Sequence, residues 1–201
     1  MSEVRTIQLA VFASGEGTNL RRIYRQLLGH EDEVKLALVV SNNSGAGALQ
    51  FAREHDLGSE HVSAATNANI GARMLELLDE YRIDLIALAG YLKRVPEQVV
   101  SAYSGRMLNI HPALLPSFGG TGMYGIRVHE AVLARGCKVS GATVHLVTSE
   151  YDEGPIVMQR CCAVHDDDTP ATLRHRVQQL EHAMYPEAIL NVARALRKNA
   201  S

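Results

Sequence analysis

The chain has 201 residues, 46% hydrophobic and 21% charged, with a formal net charge of −2. That length suits one domain with a substantial core, and the near-neutral charge gives no electrostatic case for nucleic acid or an anionic membrane. Three cysteines, Cys137, Cys161 and Cys162, have no metal spacing, and the adjacent pair falls on a strand, facing opposite ways. A disulfide framework and a zinc site are thereby disfavoured, and a reducing cytosol is expected. Met1 to Thr6 carries charges and no apolar core of a signal peptide, and no apolar run approaches membrane-spanning length.

In chain order, Ile7–Phe12 reads as a buried first strand, a short apolar run ended by glycines. A helix over Asn19–Leu28 follows, with Leu20, Ile23, Leu27 and Leu28 on one face. Lys35–Val40 is the second strand and Ala46–His55 the second helix. Ile70–Tyr81 is a helix, Asp84–Ala89 a central strand, and Pro96–Tyr103 a helix with proline in its first turn. Met107–Ile110 is the next strand, and Val128–Arg135 a short helix closed by Gly136. Ser140–Val147 and Ile156–Val164 are strands joined by an acidic, glycine-containing turn. Thr169–Pro170 starts a last helix, with threonine as cap and proline at the first position. That helix runs towards Arg197, and Pro186 is expected to kink or interrupt it. Repeated β-α-β units predict an α/β fold, a doubly wound and mostly parallel sheet flanked by helices, whose last strands are partly antiparallel.

Two segments carry chemistry. Ser14-Gly15-Glu16-Gly17-Thr18-Asn19 lies between the first strand and the first helix, where unpaired backbone N–H groups favour an anion. It lacks the third glycine of the dinucleotide fingerprint and the lysine of a P-loop. A single phosphate on Gly17, Thr18 and Asn19 is one reading; a tight turn capped by Thr18 or Asn19 is the other. In Met107-Leu108-Asn109-Ile110-His111-Pro112, Asn109 and His111 share a face by the period of two, at the strand end where ligands bind in parallel sheets. An amide and an imidazole supply a hydrogen-bond donor and a group titrating near neutrality, as acyl transfer to an amine requires. Local backbone satisfaction is the plainer alternative. Asp152, in Tyr151-Asp152-Glu153-Gly154-Pro155, reads alone as an acidic turn, although a carboxylate beside His111 would raise the imidazole pKa. Of the other histidines, His30, His55, His61, His165 and His175 fall in loops or on polar helix faces and read as surface residues, and His145 reads as a packed, hydrogen-bonded strand residue rather than a catalyst. His129 and His182 stay ambiguous.

Taken together, these segments resemble the folate-dependent formyltransferases, and among them the glycinamide ribonucleotide formyltransferases of purine synthesis. The likeness runs through Ser14 to Asn19, Ser41-Asn42, Leu88-Ala89-Gly90-Tyr91 and Leu108-Asn109-Ile110-His111-Pro112-Ala113-Leu114-Leu115-Pro116. It continues in Val144-His145-Leu146-Val147, Asp152-Glu153-Gly154-Pro155 and Glu181-His182-Ala183-Met184-Tyr185-Pro186. The resemblance implies a single formyltransferase domain over residues 1–201, with phosphate and substrate binding in the first half and catalysis and folate binding in the second. It implies Asn109, His111 and Asp152 as the catalytic trio, Gly17, Thr18 and Asn19 as the phosphate loop, and Glu181 as a substrate ligand. Leu92, Lys93, Arg94 and Val95, together with Asn109, Asp152 and the Ser149–Gly154 turn, would cradle the folate.

The co-substrate implied is 10-formyltetrahydrofolate, the acceptor glycinamide ribonucleotide, and no metal is required. A cytoplasmic monomer or homodimer without nucleic-acid or membrane partners is expected. Related activities are a formyltetrahydrofolate deformylase, which carries an additional N-terminal domain, and a methionyl-tRNA formyltransferase, which carries a C-terminal one. A non-catalytic phosphate or nucleotide sensor of the same fold is the rival from another class. Two departures from the resemblance stand out: Gly119–Arg127 is longer and richer in glycine, and Asn67 stands where some members carry a folate-contacting arginine.

Overall fold

A computed structural model describes residues 5–199; Met1 to Val4, part of the stretch read for a leader, lie outside the described residues. The elements are β1 (Ile7–Phe12), α1 (Thr18–Leu27), β2 (Val34–Ser41), α2 (Gly47–Glu54), β3 (Gly58–His61), α3 (Ile70–Glu80), β4 (Leu85–Leu88) and α4 (Glu97–Ala102). Then come β5 (Met107–His111), α5 (Ile126–Ala134), β6 (Val139–Leu146), β7 (Ile156–Ala163) and α6 (Pro170–Asn199). One seven-stranded sheet has the order β3-β2-β1-β4-β5-β6-β7. β1 to β5 pair in parallel, and β6 and β7 add antiparallel, so the expected α/β sheet with antiparallel last strands is what forms.

Strand alternation divides the core into two layers. Leu9 and Val11 of β1 face α1, α2, α5 and α6, meeting Leu20, Ile23, Leu49, Val132 and Ile189. Ala10 and Phe12 face α3 and α4, meeting Met74, Leu77, Leu78 and Val99. The β1–β2 register shifts between Leu9 and Ala10, whose partners are Leu36 and Leu38. That bulge puts Ala37 and Leu38 on one side, so Leu36 and Val39 pack in the first layer while Leu38 and Val40 pack in the second.

Three expectations need correction. No element is expected at Gly58-Ser59-Glu60-His61, which has no apolar signature, yet β3 forms there. It is an edge strand with only half-buried residues, and its pairing with β2 from Leu38↔Gly58 to Ser41↔His61 creates it. His61 is therefore a strand residue. Pro186 does not interrupt α6, which runs unbroken from Pro170 to Asn199. The residues around it, Met184, Tyr185, Ala188 and Ile189, are wholly buried, and that packing outweighs the backbone hydrogen bond proline removes. His55 is also no mere surface residue: its Nδ1 lies 2.8 Å from the Phe51 carbonyl and its ring meets Tyr24 edge to face. At the start of α6, Thr169 Oγ1 accepts the Thr172 N–H at 3.2 Å, as the cap reading predicts.

Candidate active site

The carboxyl ends of β1, β4 and β5 open into one cleft of about 470 Å³, at the place where parallel sheets bind ligands. Among the residues lining it are Asn19, Leu92 to Val95, Asn109, His111, Asp152 and Glu181. Gly17 and Thr18 adjoin the cleft through Asn19.

Asn109 and His111 lie on one face of β5, and His111 is only 4% exposed. The segment that follows is fixed from below. Thr143 Oγ1 donates to the Ala113 carbonyl at 2.7 Å and accepts the Leu115 N–H at 3.0 Å, both buried. This holds the chain so that the Phe118 carbonyl meets His111 Nε2 at 2.8 Å. Asp152 sits in the turn between β6 and β7 with φ 58°, a left-handed conformation that aspartate tolerates better than most residues. Gly154 makes that turn possible, because a Cβ there would stand 1.7 Å from the Leu146 carbonyl oxygen.

The Asp152 carboxylate gathers the site. Its Oδ2 lies 3.5 Å from His111 Nδ1 and accepts the Gly120 N–H at 2.9 Å. Its Oδ1 lies 3.5 Å from both His145 Nε2 and Asn109 Nδ2. His145 is a packed, hydrogen-bonded strand residue, as expected, and its side-chain partner belongs to the site. The antiparallel register sets it opposite Asn109, and its Nε2 is 3.1 Å from Asn109 Nδ2. The Leu146 carbonyl, 2.9 Å from Nδ1, takes a proton placed there and leaves Nε2 to accept from the Asn109 amide. His145 thereby orients Asn109. No spacing along the sequence carries this contact.

Asp152 pulls the pKa of His111 upward, as expected, but does not decide its direction. Burial is the larger influence and lowers it below the usual histidine value, with Asp152 and the Phe118 carbonyl pulling upward and His145 downward. The long 3.5 Å gap to Asp152 against the 2.8 Å bond to Phe118 fits a resting imidazole protonated on Nε2 alone. For Asp152, burial pushes upward, but the neighbouring His145 and His111 rings and the Gly120 N–H together hold the carboxyl below its usual value. His129, left ambiguous by the sequence, is 2% exposed on the cleft wall, with no partner on Nδ1 among the described residues. Burial, then the charges of Arg174 and His111, lower its pKa to about 4.

A second arm of the cleft starts at α1. Gly17 is its N-cap at φ 74°, with no side-chain cap, so the first-turn N–H groups face outward unpaired by any cap. Asn19 donates from Nδ2 to Glu181 Oε2 at 3.0 Å, which brings the expected substrate carboxylate to the expected phosphate loop. Burial raises the Glu181 pKa, against the Asn19 hydrogen bond and the Arg174 charge. A third arm lies between Leu92–Val95 and residues 148–152. Arg94 donates to the Ser149 carbonyl at 2.8 Å and lies over the Tyr151 ring at 5.6 Å, tying the two segments together. Leu92, 67% exposed, donates its N–H to Ser14 Oγ at 2.8 Å, and Ser14 donates in turn to Asn42 Oδ1. Asn67 turns back onto Thr66 and is absent from the cleft wall.

A family model described as formyl transferase matches residues 7–189. The chain belongs to the formyl transferase family. Within that family, it is 41% identical over 191 residues to the chloroplastic phosphoribosylglycinamide formyltransferase of Arabidopsis thaliana, covering 93% of this chain and 65% of that protein. It is 36% identical over 185 residues to the phosphoribosylglycinamide formyltransferase of Bacillus subtilis, covering 90% of this chain and 92% of that one. Glycinamide ribonucleotide transformylase 1 from Symbiobacterium toebii superposes with a TM-score of 0.87 at 37% identity, over 94% of this chain and 89% of that one. Among the described residues no group of three or more histidine, cysteine or acidic side chains is placed to hold a metal ion, and no helix is long and apolar enough to cross a membrane.

Proposed function

We propose that the chain transfers the formyl group of 10-formyltetrahydrofolate to the amine of glycinamide ribonucleotide. The observation that carries this reading is the convergence of Asn109, His111 and Asp152 where the two outer arms of one cleft meet. One arm has the unsatisfied helix N-terminus that suits a phosphate. The other suits a flat heterocycle: Leu88, Val95, Val100, Ile110 and Val147 offer apolar faces, and the 148–152 turn offers backbone edges. The names of the relatives carry the same acceptor and the same transferred group.

In this reading Asn109 donates its amide to the formyl oxygen as the amine nitrogen bonds to the formyl carbon and the carbonyl electron pair moves onto that oxygen. His145, by accepting one Asn109 hydrogen, fixes the direction of the other. His111, neutral at rest, takes on Nδ1 the proton that the amine nitrogen gives up once it has bonded to the formyl carbon. The imidazolium then faces two acceptors, Phe118 O and Asp152, and stabilises the oxyanion alongside Asn109. His111 returns the proton to the folate nitrogen as the carbon–nitrogen bond to it breaks, and the formyl group remains on the acceptor. Asp152 offsets the charge that burial disfavours. Glu181 positions the acceptor.

The test uses a 10-formylfolate analogue with and without glycinamide ribonucleotide, following release of the deformylated folate. Release only with the ribonucleotide is expected; release without it makes the chain a hydrolase, and none in either arm removes the proposal. Asn109→Ala is expected to lower turnover by about 10²–10³ and His111→Ala by about 10²–10⁴. Near-normal turnover in a folded variant removes that residue from the mechanism.

A further inference from the structure

The sequence draws attention to the loop at Gly17–Asn19, but α6 crosses that loop with a face of its own. Positions 174, 178 and 181 are spaced four and three apart, so Arg174, Gln178 and Glu181 project from one side of the helix. The lower two touch the α1 start directly: Gln178 Nε2 is 3.5 Å from Thr18 Oγ1, and Glu181 accepts from Asn19. Arg174 is one turn further towards the N-terminus of α6, exposed, and lines the same cleft. It makes no hydrogen bond or ion pair among the described residues, whereas Arg176, two positions on, is held by both oxygens of Asp168 at 2.6 and 2.9 Å. Arg176 is structural. Arg174 is unengaged.

The ligand end of this arm is also incomplete. Asn19 is 8% exposed, yet its Oδ1 has no partner among the described residues, an acceptor left for a donor such as a guanidinium or a substrate hydroxyl. A phosphate carries about −1.5 to −2 charges, while a helix N-terminus offers about half a positive charge. Glu181 places a carboxyl group within 3.0 Å of Asn19, which opposes a dianion unless a full cation offsets it. The Arg174 charge reaches this region, since it lowers the pKa of both Glu181 and His129. The other basic residues lining the cleft, Lys93 and Arg94, belong to the segment after β4, and Arg94 is bonded to Ser149.

Resting on the function proposed above, we infer that Arg174 is the side chain that grips the phosphate of the amine substrate and sets the preference for the phosphorylated over the dephosphorylated amine. The guanidinium completes a site whose floor is the α1 N-terminus and whose sides are Gln178 and Asn19. Charge-assisted hydrogen bonds of this kind are the stronger ones in proteins. Arg174→Gln therefore raises KM for glycinamide ribonucleotide by about ten- to a hundredfold, while kcat/KM for the dephosphorylated riboside moves by less than about threefold. Arg174→Lys restores part of the loss, because a point charge replaces a fork. Added salt raises the wild-type KM more steeply than that of Arg174→Gln.

A second measurement does not depend on formyl transfer. Binding of ribose 5-phosphate and of ribose is compared by calorimetry in wild type and Arg174→Gln. Tighter ribose 5-phosphate binding by wild type, lost in the variant, supports the inference even if the ribonucleotide is not formylated, in which case only the proposed reaction fails. Equal binding by both proteins, an unchanged preference for the phosphorylated amine in Arg174→Gln, or no phosphate-dependent binding by wild type overturns it.

Discussion

Asp152→Asn isolates a charge while sparing a shape. Asparagine matches aspartate in size, tolerates the left-handed backbone at φ 58°, and keeps an oxygen to accept the Gly120 N–H. What vanishes is a negative charge 3.5 Å from His111 Nδ1. At an effective dielectric constant of about 20, unit charges this close interact by about 4 to 5 kcal/mol. The asparagine amide dipole and solvent in the cleft retain part of that, leaving a loss of about 2 to 3 kcal/mol when His111 becomes charged. The expected fall in kcat/KM is roughly a hundredfold. The pH profile has a sign of its own. His111 already sits below its usual pKa because burial outweighs Asp152, and removing Asp152 leaves burial less opposed, so the His111 pKa drops further. A rate that requires neutral His111 in the free enzyme rises with pH through that pKa, so the acid limb of the variant moves to lower pH while its plateau drops. The assay is kcat/KM for formyl transfer between pH 5 and 9, with circular dichroism and melting curves as the control for folding. A well-folded Asp152→Asn with the wild-type plateau, or with an acid limb displaced to higher pH, refutes the reasoning.

His145→Ala releases the amide of Asn109 and is expected to lower kcat by about tenfold or more while leaving KM for the folate within about threefold; an unchanged kcat shows that Asn109 needs no guide. His129, with a folded pKa of about 4 against 6.5 unfolded, contributes stability that is whole above pH 6.5 and lost as pH falls towards 4. Wild type is expected to lose about 2 to 3 kcal/mol more than His129→Gln between pH 7 and pH 4, read by denaturant titration at each pH. Tyr185→Phe removes a fully buried hydroxyl lying 3.0 Å from the Leu88 carbonyl and 3.1 Å from that of Leu108; unfolding at neutral pH is expected to become easier by about 1 to 2 kcal/mol. Gly154→Ala forces a Cβ onto the Leu146 carbonyl, and both a stability loss of about 1 to 3 kcal/mol and a fall in turnover through displaced Asp152 are expected; normal activity with lowered stability separates the turn from the chemistry.

The parallel half of the fold was legible because its strands are buried on both faces, and a run such as Leu9-Ala10-Val11-Phe12 can be read without its neighbours. Asn109 and His111 were legible for the same reason, since their relation is local and follows from a period of two. β3 was not, because Gly58-Ser59-Glu60-His61 becomes a strand only through β2. Pro186 misled in the opposite direction: a local rule forecast a break that the buried residues on either side of it override. Asp152 reached the site on family resemblance alone, because 43 residues separate it from Asn109 and nothing in the turn announces its partners. His145 was legible as a packed, hydrogen-bonded residue, but its bond to Asn109 was not, because it depends on the Asn109↔His145 register. That burial outweighs Asp152 at His111 was not legible either, because burial is a property of the folded cleft.

The change of strand direction between β5 and β6 divides the active centre by ancestry of contact. The loop at Gly17–Asn19 and the Leu92–Val95 wall hang on parallel strands joined by crossover helices. The opposite wall ends in a hairpin, two eight-residue strands whose turn delivers Asp152 together with the 148–152 wall. The hairpin is a buttress as well as a wall: Thr143 and Gln159, one from each strand, bond to the Ala113–Leu115 segment that follows His111, so a change in either strand is felt at the imidazole.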